Sequence, residues 1–133
     1  MKTLIKNGLI VNENQIFESD VLVNGELIEK IAKKISSDYA DKIIDCEGSL
    51  ILPGIIDDQV HFREPGYPNK ATIYSESRAA VAGGVTSYFE MPNTDPATTT
   101  LSRLNQKFDI ASKSSLANYS FTVSLYTSPS PRD

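Results

Sequence analysis

Apolar and polar residues alternate over short stretches in the first third of the chain, and a longer rhythm follows. Residues 3–6, 9–12, 20–23 and 26–31 read as strands, with Asn7-Gly8 and Asn24-Gly25 between them. Asn-Gly pairs between apolar runs predict hairpins, because both central positions of a type I′ turn need φ > 0. Residues 43–46 and 49–52 add strand-like runs, broken at Glu47-Gly48 and closed by Pro53-Gly54. Residues 1–52 are therefore expected to form a small β unit.

Beyond Pro53-Gly54 the pattern becomes strand, helix, strand. Residues 55–62 read as a buried strand, and a Gly/Pro-rich loop runs through Asn69. A helix is expected over about 70–82, stopped by Gly83-Gly84, and a strand over 85–91. This spacing is that of a βαβ unit and implies parallel pairing in an α/β architecture. A second helix is expected from about Thr99, where threonines can cap it, with Leu101, Leu104, Phe108 and Ala111 at three- and four-residue spacing. Residues 118–121 would begin a third strand.

Residues 122–133 break the rhythm, since the prolines in Ser128-Pro129-Ser130-Pro131 cannot donate to a central ladder. Residues 125–133 resemble the conceptual translation of a transposon-type sequencing-library adapter, which would make 122–133 a non-native tail; a disordered natural tail is the alternative.

Composition narrows the function classes. With 40% hydrophobic and 23% charged residues among 133, the chain has the balance of a globular protein. A net charge of -4 and a pI near 5.0 provide no basic stripe, which argues against nucleic acid and for small molecules or protein subunits as partners. The one cysteine, Cys46, cannot form an internal disulfide, fits a reducing cytoplasm, and reads as a small buried apolar residue. No stretch approaches the ~20 apolar residues of a membrane span, and the N-terminus carries no export signal, so neither membrane nor export is expected.

The chemistry concentrates in Ile56-Asp57-Asp58-Gln59-Val60-His61-Phe62-Arg63-Glu64-Pro65-Gly66. On a strand with a period of two, Asp57, Gln59, His61 and Arg63 share one side, and Asp58, Val60 and Phe62 the other. Such a polar row is costly in a plain core but suits the mouth of a barrel, where strand ends carry active sites. Asp57 is expected to orient a ligand or the strand end, and Glu64, Pro65 and Gly66 to shape the loop. Lys30, Lys33 and Lys34 read as a solvated face.

The same segment resembles the opening motif of dihydroorotases, an Asp-x-His-x-His-x-Arg pattern followed by Glu-Pro-Gly. Glu90-Met91-Pro92-Asn93-Thr94-Asp95-Pro96 resembles that family's Met-Pro-Asn-Thr turn, and residues 77–86 the helix and strand start between the two. Coverage runs over about 1–121. Hydantoinases and allantoinases share the first motif in looser form.

The resemblance implies an α/β fold: a partial TIM-type (β/α) barrel, with its first two to three βα units at 53–121, preceded by a small β-sandwich segment at 1–52. A full barrel takes about 250 residues, so the chain on its own is expected to be unstable and inactive. It implies a divalent metal, zinc by preference, with His61 as the second histidine of the metal pair, and Arg63 and Asn93 as holders of a substrate carboxylate. The reaction implied is reversible hydrolysis of dihydroorotate to carbamoyl-aspartate, in a cytoplasmic enzyme and possible homodimer. The remaining metal ligands and the catalytic carboxylate would come from later strands.

Gln59 departs from the pattern by standing where the first metal-binding histidine belongs. An amide oxygen is a weaker zinc ligand than an imidazole. That departure keeps open a non-catalytic dihydroorotase-like subunit supporting a partner such as aspartate carbamoyltransferase. Another cyclic amidohydrolase, a hydantoinase or an allantoinase, is the further alternative.

Overall fold

The computed structural model describes residues 1–123, and its contacts divide the chain into two compact units between Pro53 and Gly54. Most of the expected tail, from residue 124 onward, lies outside the described residues. Among these, no helix is long and apolar enough to cross a membrane.

The first unit is one five-stranded sheet. Its strands are β1 (Lys2–Asn12), β2 (Gln15–Asn24), β3 (Leu27–Ala32), β4 (Lys42–Asp45) and β5 (Leu50–Ile51). The order is β3-β2-β1-β4, with β5 also beside β1; β1 runs antiparallel to β2 and parallel to β4 and β5. Leu4, Leu22 and Ile35 form its buried centre, and Ile10, Val21, Ile28, Ile31, Ile51 and Leu52 line an apolar groove. A sandwich needs a second, facing sheet, which is not among the described residues.

The expected hairpin at Asn7-Gly8 is not there. β1 passes straight through that pair, and the register against β2 slips between Ile5 and Gly8, which is a β-bulge. Asn7 takes φ 54, and its N–H donates to the buried Asp20 carboxylate at 3.0 Å. A Cβ on Gly8 would come 2.1 Å from Ile51 Cδ1, so the glycine serves close approach and not a turn. The hairpin falls instead at Glu13-Asn14, both with positive φ and flanked by the paired Asn12 and Gln15, as a type I′ turn requires. Asn24-Gly25 does mark a turn, but one residue later than read. Asn24 pairs with Leu27, and Gly25 alone has positive φ between them, the sign pattern of a type II′ turn. Cys46 is half-buried and lies outside the buried core.

The second unit alternates strands with helices: β6 (Ile55–Val60), α1 (Ile73–Ala82), β7 (Val85–Glu90), α2 (Leu101–Ser114) and β8 (Asn118–Phe121). The sheet is parallel in the order β6-β7-β8. Crossovers of one hand between successive neighbours place both helices on the same face. Ile73 of α1, Ala111 of α2, Tyr88 of β7 and Phe121 of β8 accordingly share one core with Phe62 and Ala117. Ser77, fully buried on α1, accepts the N–H of Leu116 at 3.1 Å and ties α1 to the segment between α2 and β8.

α1 starts three residues later than its composition suggested. Thr72 and Ser75 form a capping box, each side chain accepting the other's backbone N–H, and Glu64 Oε2 accepts the N–H of Ile73 at 2.7 Å. In α2 the cap is Thr100, which accepts from Arg103, and Ala111 is buried as the spacing implied. Leu101, the first residue of the helix, departs from that stripe and is 72% exposed.

Candidate functional site

The carboxyl ends of β6 and β7 carry two loops, 61–72 and 91–100, that lock onto each other. Asp95 donates its N–H to Pro65 O at 3.1 Å, and Met91 donates to Val60 O at 2.9 Å. Gly66 lies so near that a Cβ there would meet Asp95 O at 2.4 Å, and its φ of +105 also favours glycine. The second loop is tight in itself: Thr94 Oγ1 donates to Pro96 O and bonds the buried Thr98 hydroxyl, and Thr94 and Thr98 both donate N–H to Pro92 O. In α/β sheets this end is where ligands bind.

The polar row expected on β6 does not survive as a row. Asp57 pairs with Tyr88 and Val60 with Glu90, so three steps on β6 match two on β7. The extra residue at Asp58-Gln59 is a bulge, and a one-residue slip reverses which side each later side chain faces. Asp57 therefore shares the helix-covered face with Tyr88, whereas His61 falls on the opposite side. Asp57 Oδ1 accepts the N–H of Gln59 at 3.1 Å and holds the bulge. β6 ends at Val60, and Arg63 lies beyond it with φ 66, in the left-handed region.

Two of the expected site residues, 32 positions apart in sequence, do meet. His61 Nδ1 and Asn93 Oδ1 are 3.0 Å apart, both on exposed side chains. An amide oxygen only accepts, so in this pairing Nδ1 carries the proton, and in the neutral ring Nε2 is the nitrogen that can accept or ligate. Asn93 keeps its NH2 group for another acceptor. Arg63 stands two residues from His61 and is half-buried. Gln59 is exposed on the bulge.

Sequence reasoning missed the charged pair beneath this surface. Glu90 on β7 and Lys107 on α2 are 0% and 1% exposed and form an ion pair. Glu90 Oε1 accepts the N–H of Arg63 at 3.2 Å, and Lys107 Nζ donates to Met91 O at 3.1 Å and lies 4.9 Å from the Phe121 ring centroid. Burial raises the Glu90 carboxyl above the usual carboxylate range, opposed by the Lys107 contact, and burial lowers the Lys107 ammonium. The available signal was Lys107 itself, four residues from Ala111 and three from Leu104 on the apolar stripe of α2. Tyr88, on β7 in the core beneath the helices, is pushed up to about 12 by burial, and its hydroxyl lies 3.0 Å from Ser115 Oγ.

No group of three or more His, Cys, Asp or Glu side chains converges among the described residues. His61 and Gln59 offer one imidazole nitrogen and one amide oxygen, short of the four donors zinc ordinarily takes. These residues alone do not fit a metal centre.

The arrangement belongs to a known class of architecture. The chain superposes on the L-hydantoinase (dihydropyrimidinase) from Arthrobacter aurescens with a TM-score of 0.85 and 30% identity, over 90% of this chain and 27% of that one. A family model described as dihydro-orotase-like matches residues 48–121, and the chain belongs to that family. It is 40% identical over 114 residues to the dihydroorotase of Enterococcus faecalis, covering 85% of this chain and 27% of the relative. With the dihydroorotase of Carboxydothermus hydrogenoformans it shares 46% identity over 98 residues, 72% of this chain and 23% of the relative. The chain thus spans about a quarter of the length of these relatives.

Proposed function

We propose that this chain is the opening part of a dihydroorotase-type hydrolase, with residues 1–52 a β-sandwich segment and 53–121 the first units of a TIM-type barrel. The carrying observation is the His61–Asn93 contact, which joins the two motif loops at the strand ends. In this reading Arg63 and the Asn93 NH2 group bind the carboxylate of dihydroorotate. The guanidinium offers a planar bidentate fork, and the amide adds a donor without a second charge. Water adds across the ring amide: its oxygen bonds to the carbonyl carbon, the C–N bond breaks, and the ring nitrogen takes a proton, giving carbamoyl-aspartate. A divalent metal, zinc by family resemblance, belongs to this reading only as a group to which His61 Nε2 contributes, with Gln59 a weak second donor.

The test is kinetic, in the full-length protein carrying this chain. Dihydroorotate is expected to be hydrolysed in preference to hydantoin, allantoin and the same six-membered ring without its carboxylate. Arg63→Lys is expected to raise KM for dihydroorotate by about tenfold or more, by loss of the bidentate fork. Preference for hydantoin or allantoin would transfer the assignment to another cyclic amidohydrolase.

Gln59 supports a second reading, a non-catalytic subunit that binds a partner such as aspartate carbamoyltransferase. Metal analysis of the purified full-length protein separates the two: stoichiometric divalent metal with turnover supports the enzyme, and absence of both supports the subunit.

A further inference from the structure

One buried ion pair reaches both loops of the site. Glu90 and Lys107 neutralise each other inside the second unit. A buried pair commonly gains nothing in stability over a well-packed apolar pair, so its other bonds carry the information. Glu90 Oε1 accepts the Arg63 N–H, which lies on the loop after β6. Lys107 Nζ donates to Met91 O, which lies on the loop after β7.

Arg63 requires such a hold. It is a non-glycine residue at φ 66, a conformation that persists only where surrounding contacts fix it. Its N–H is fixed by Glu90, and its carbonyl accepts from Tyr67 N–H at 3.1 Å. With both flanking peptides anchored, the direction in which the side chain leaves the strand end is set. On the other loop, Met91 is followed directly by Pro92-Asn93, so a bond at Met91 O fixes the base from which Asn93 projects.

Resting on the carboxylate-binding reading, the geometry points to Glu90 and Lys107 as positioning residues that hold Arg63 and Asn93 at the separation one substrate carboxylate needs. Neither touches substrate. Their action is transmitted through the Arg63 amide and the Met91 carbonyl, and each is set by the charge of the other.

The test compares two double variants of the full-length protein. In Glu90→Gln/Lys107→Met the amide oxygen still accepts the Arg63 N–H and no lone charge is buried. In Glu90→Leu/Lys107→Met the acceptor is gone. KM for dihydroorotate is expected to rise about tenfold or more in the leucine variant with kcat within about threefold of wild type, and the glutamine variant should recover about threefold or more of that loss. Unchanged KM in the leucine variant, or equal loss in both variants, overturns the proposal. Should neither variant fold, hydrogen exchange in the unaltered protein decides. An Arg63 amide that exchanges as slowly as that of Tyr88 supports the anchor, and exchange at the rate of an open loop overturns it. A wild-type protein that turns over the ring lacking its carboxylate as readily as dihydroorotate sinks the carboxylate reading instead, while the Arg63 amide still reports the anchor by itself.

Discussion

His61 Nδ1 sits 3.0 Å from Asn93 Oδ1, a contact between the first residue after β6 and the third after β7. It gives Asn93 two duties in the proposed site, fixing the imidazole tautomer with its oxygen and meeting an anion with its nitrogen. Asn93→Leu removes both at little change in volume. Loss of one hydrogen bond to a charged group is worth about 1.5–3 kcal/mol, so kcat/KM for dihydroorotate is expected to fall about 10–100-fold. Steady-state kinetics on the full-length protein checks this, and a fall below twofold removes Asn93 from the site.

Lys107→Met leaves the Glu90 carboxylate buried without its counter-charge. Breaking a buried pair in this way costs about 3–5 kcal/mol, whereas replacing both partners by apolar residues is close to neutral. Urea unfolding of Lys107→Met, Glu90→Leu and the double variant is expected to show a double variant more stable than either single one. Additive losses would mean that the two side chains do not interact.

Gly66→Ala tests the contact between the two loops. The added Cβ would meet the Asp95 backbone at 2.4 Å, at a φ of +105. Strain of this kind costs about 1–3 kcal/mol. The expected result is a lower melting temperature together with weaker binding of dihydroorotate, measured by thermal unfolding and calorimetry. Wild-type values for both would show that the loops accommodate a side chain.

Tyr88 predicts an alkaline signature. Burial raises its folded-state value from 10.0 to about 12, above the unfolded value. A group raised on folding contributes stability that is complete below the unfolded value and is lost as pH climbs through the folded one. The loss should therefore fall between about pH 10 and 12. Phenolate absorbance is expected to show a late-ionising step that is coincident with unfolding and absent in Tyr88→Phe. An unchanged titration in that variant would assign the late group to another tyrosine.

Much of the second unit was legible in the sequence because its signals are local. Thr100 caps α2, Gly83 ends α1, and the strand-helix-strand spacing is a property of neighbouring residues. The two motif loops could likewise be read as chemically dense, and His61 and Asn93 were both singled out before the fold brought them to 3.0 Å.

What tertiary structure decided were matters of register and burial. The pair Asn7-Gly8 carries the composition of a turn, yet the buried Asp20 carboxylate and the Ile51 side chain make it a bulge inside β1. The slip at Asp58-Gln59 depends on pairing with β7, and it moves His61 to the other side of the strand from Asp57, which no period of two reveals. Lys107 reads as an ordinary helix cation until α2 packs against β7 and places its ammonium on Glu90. Composition and spacing set which residues could form a site. Only the pairing of strands and the docking of α2 determined which of them face one another, because those contacts join residues far apart in the chain.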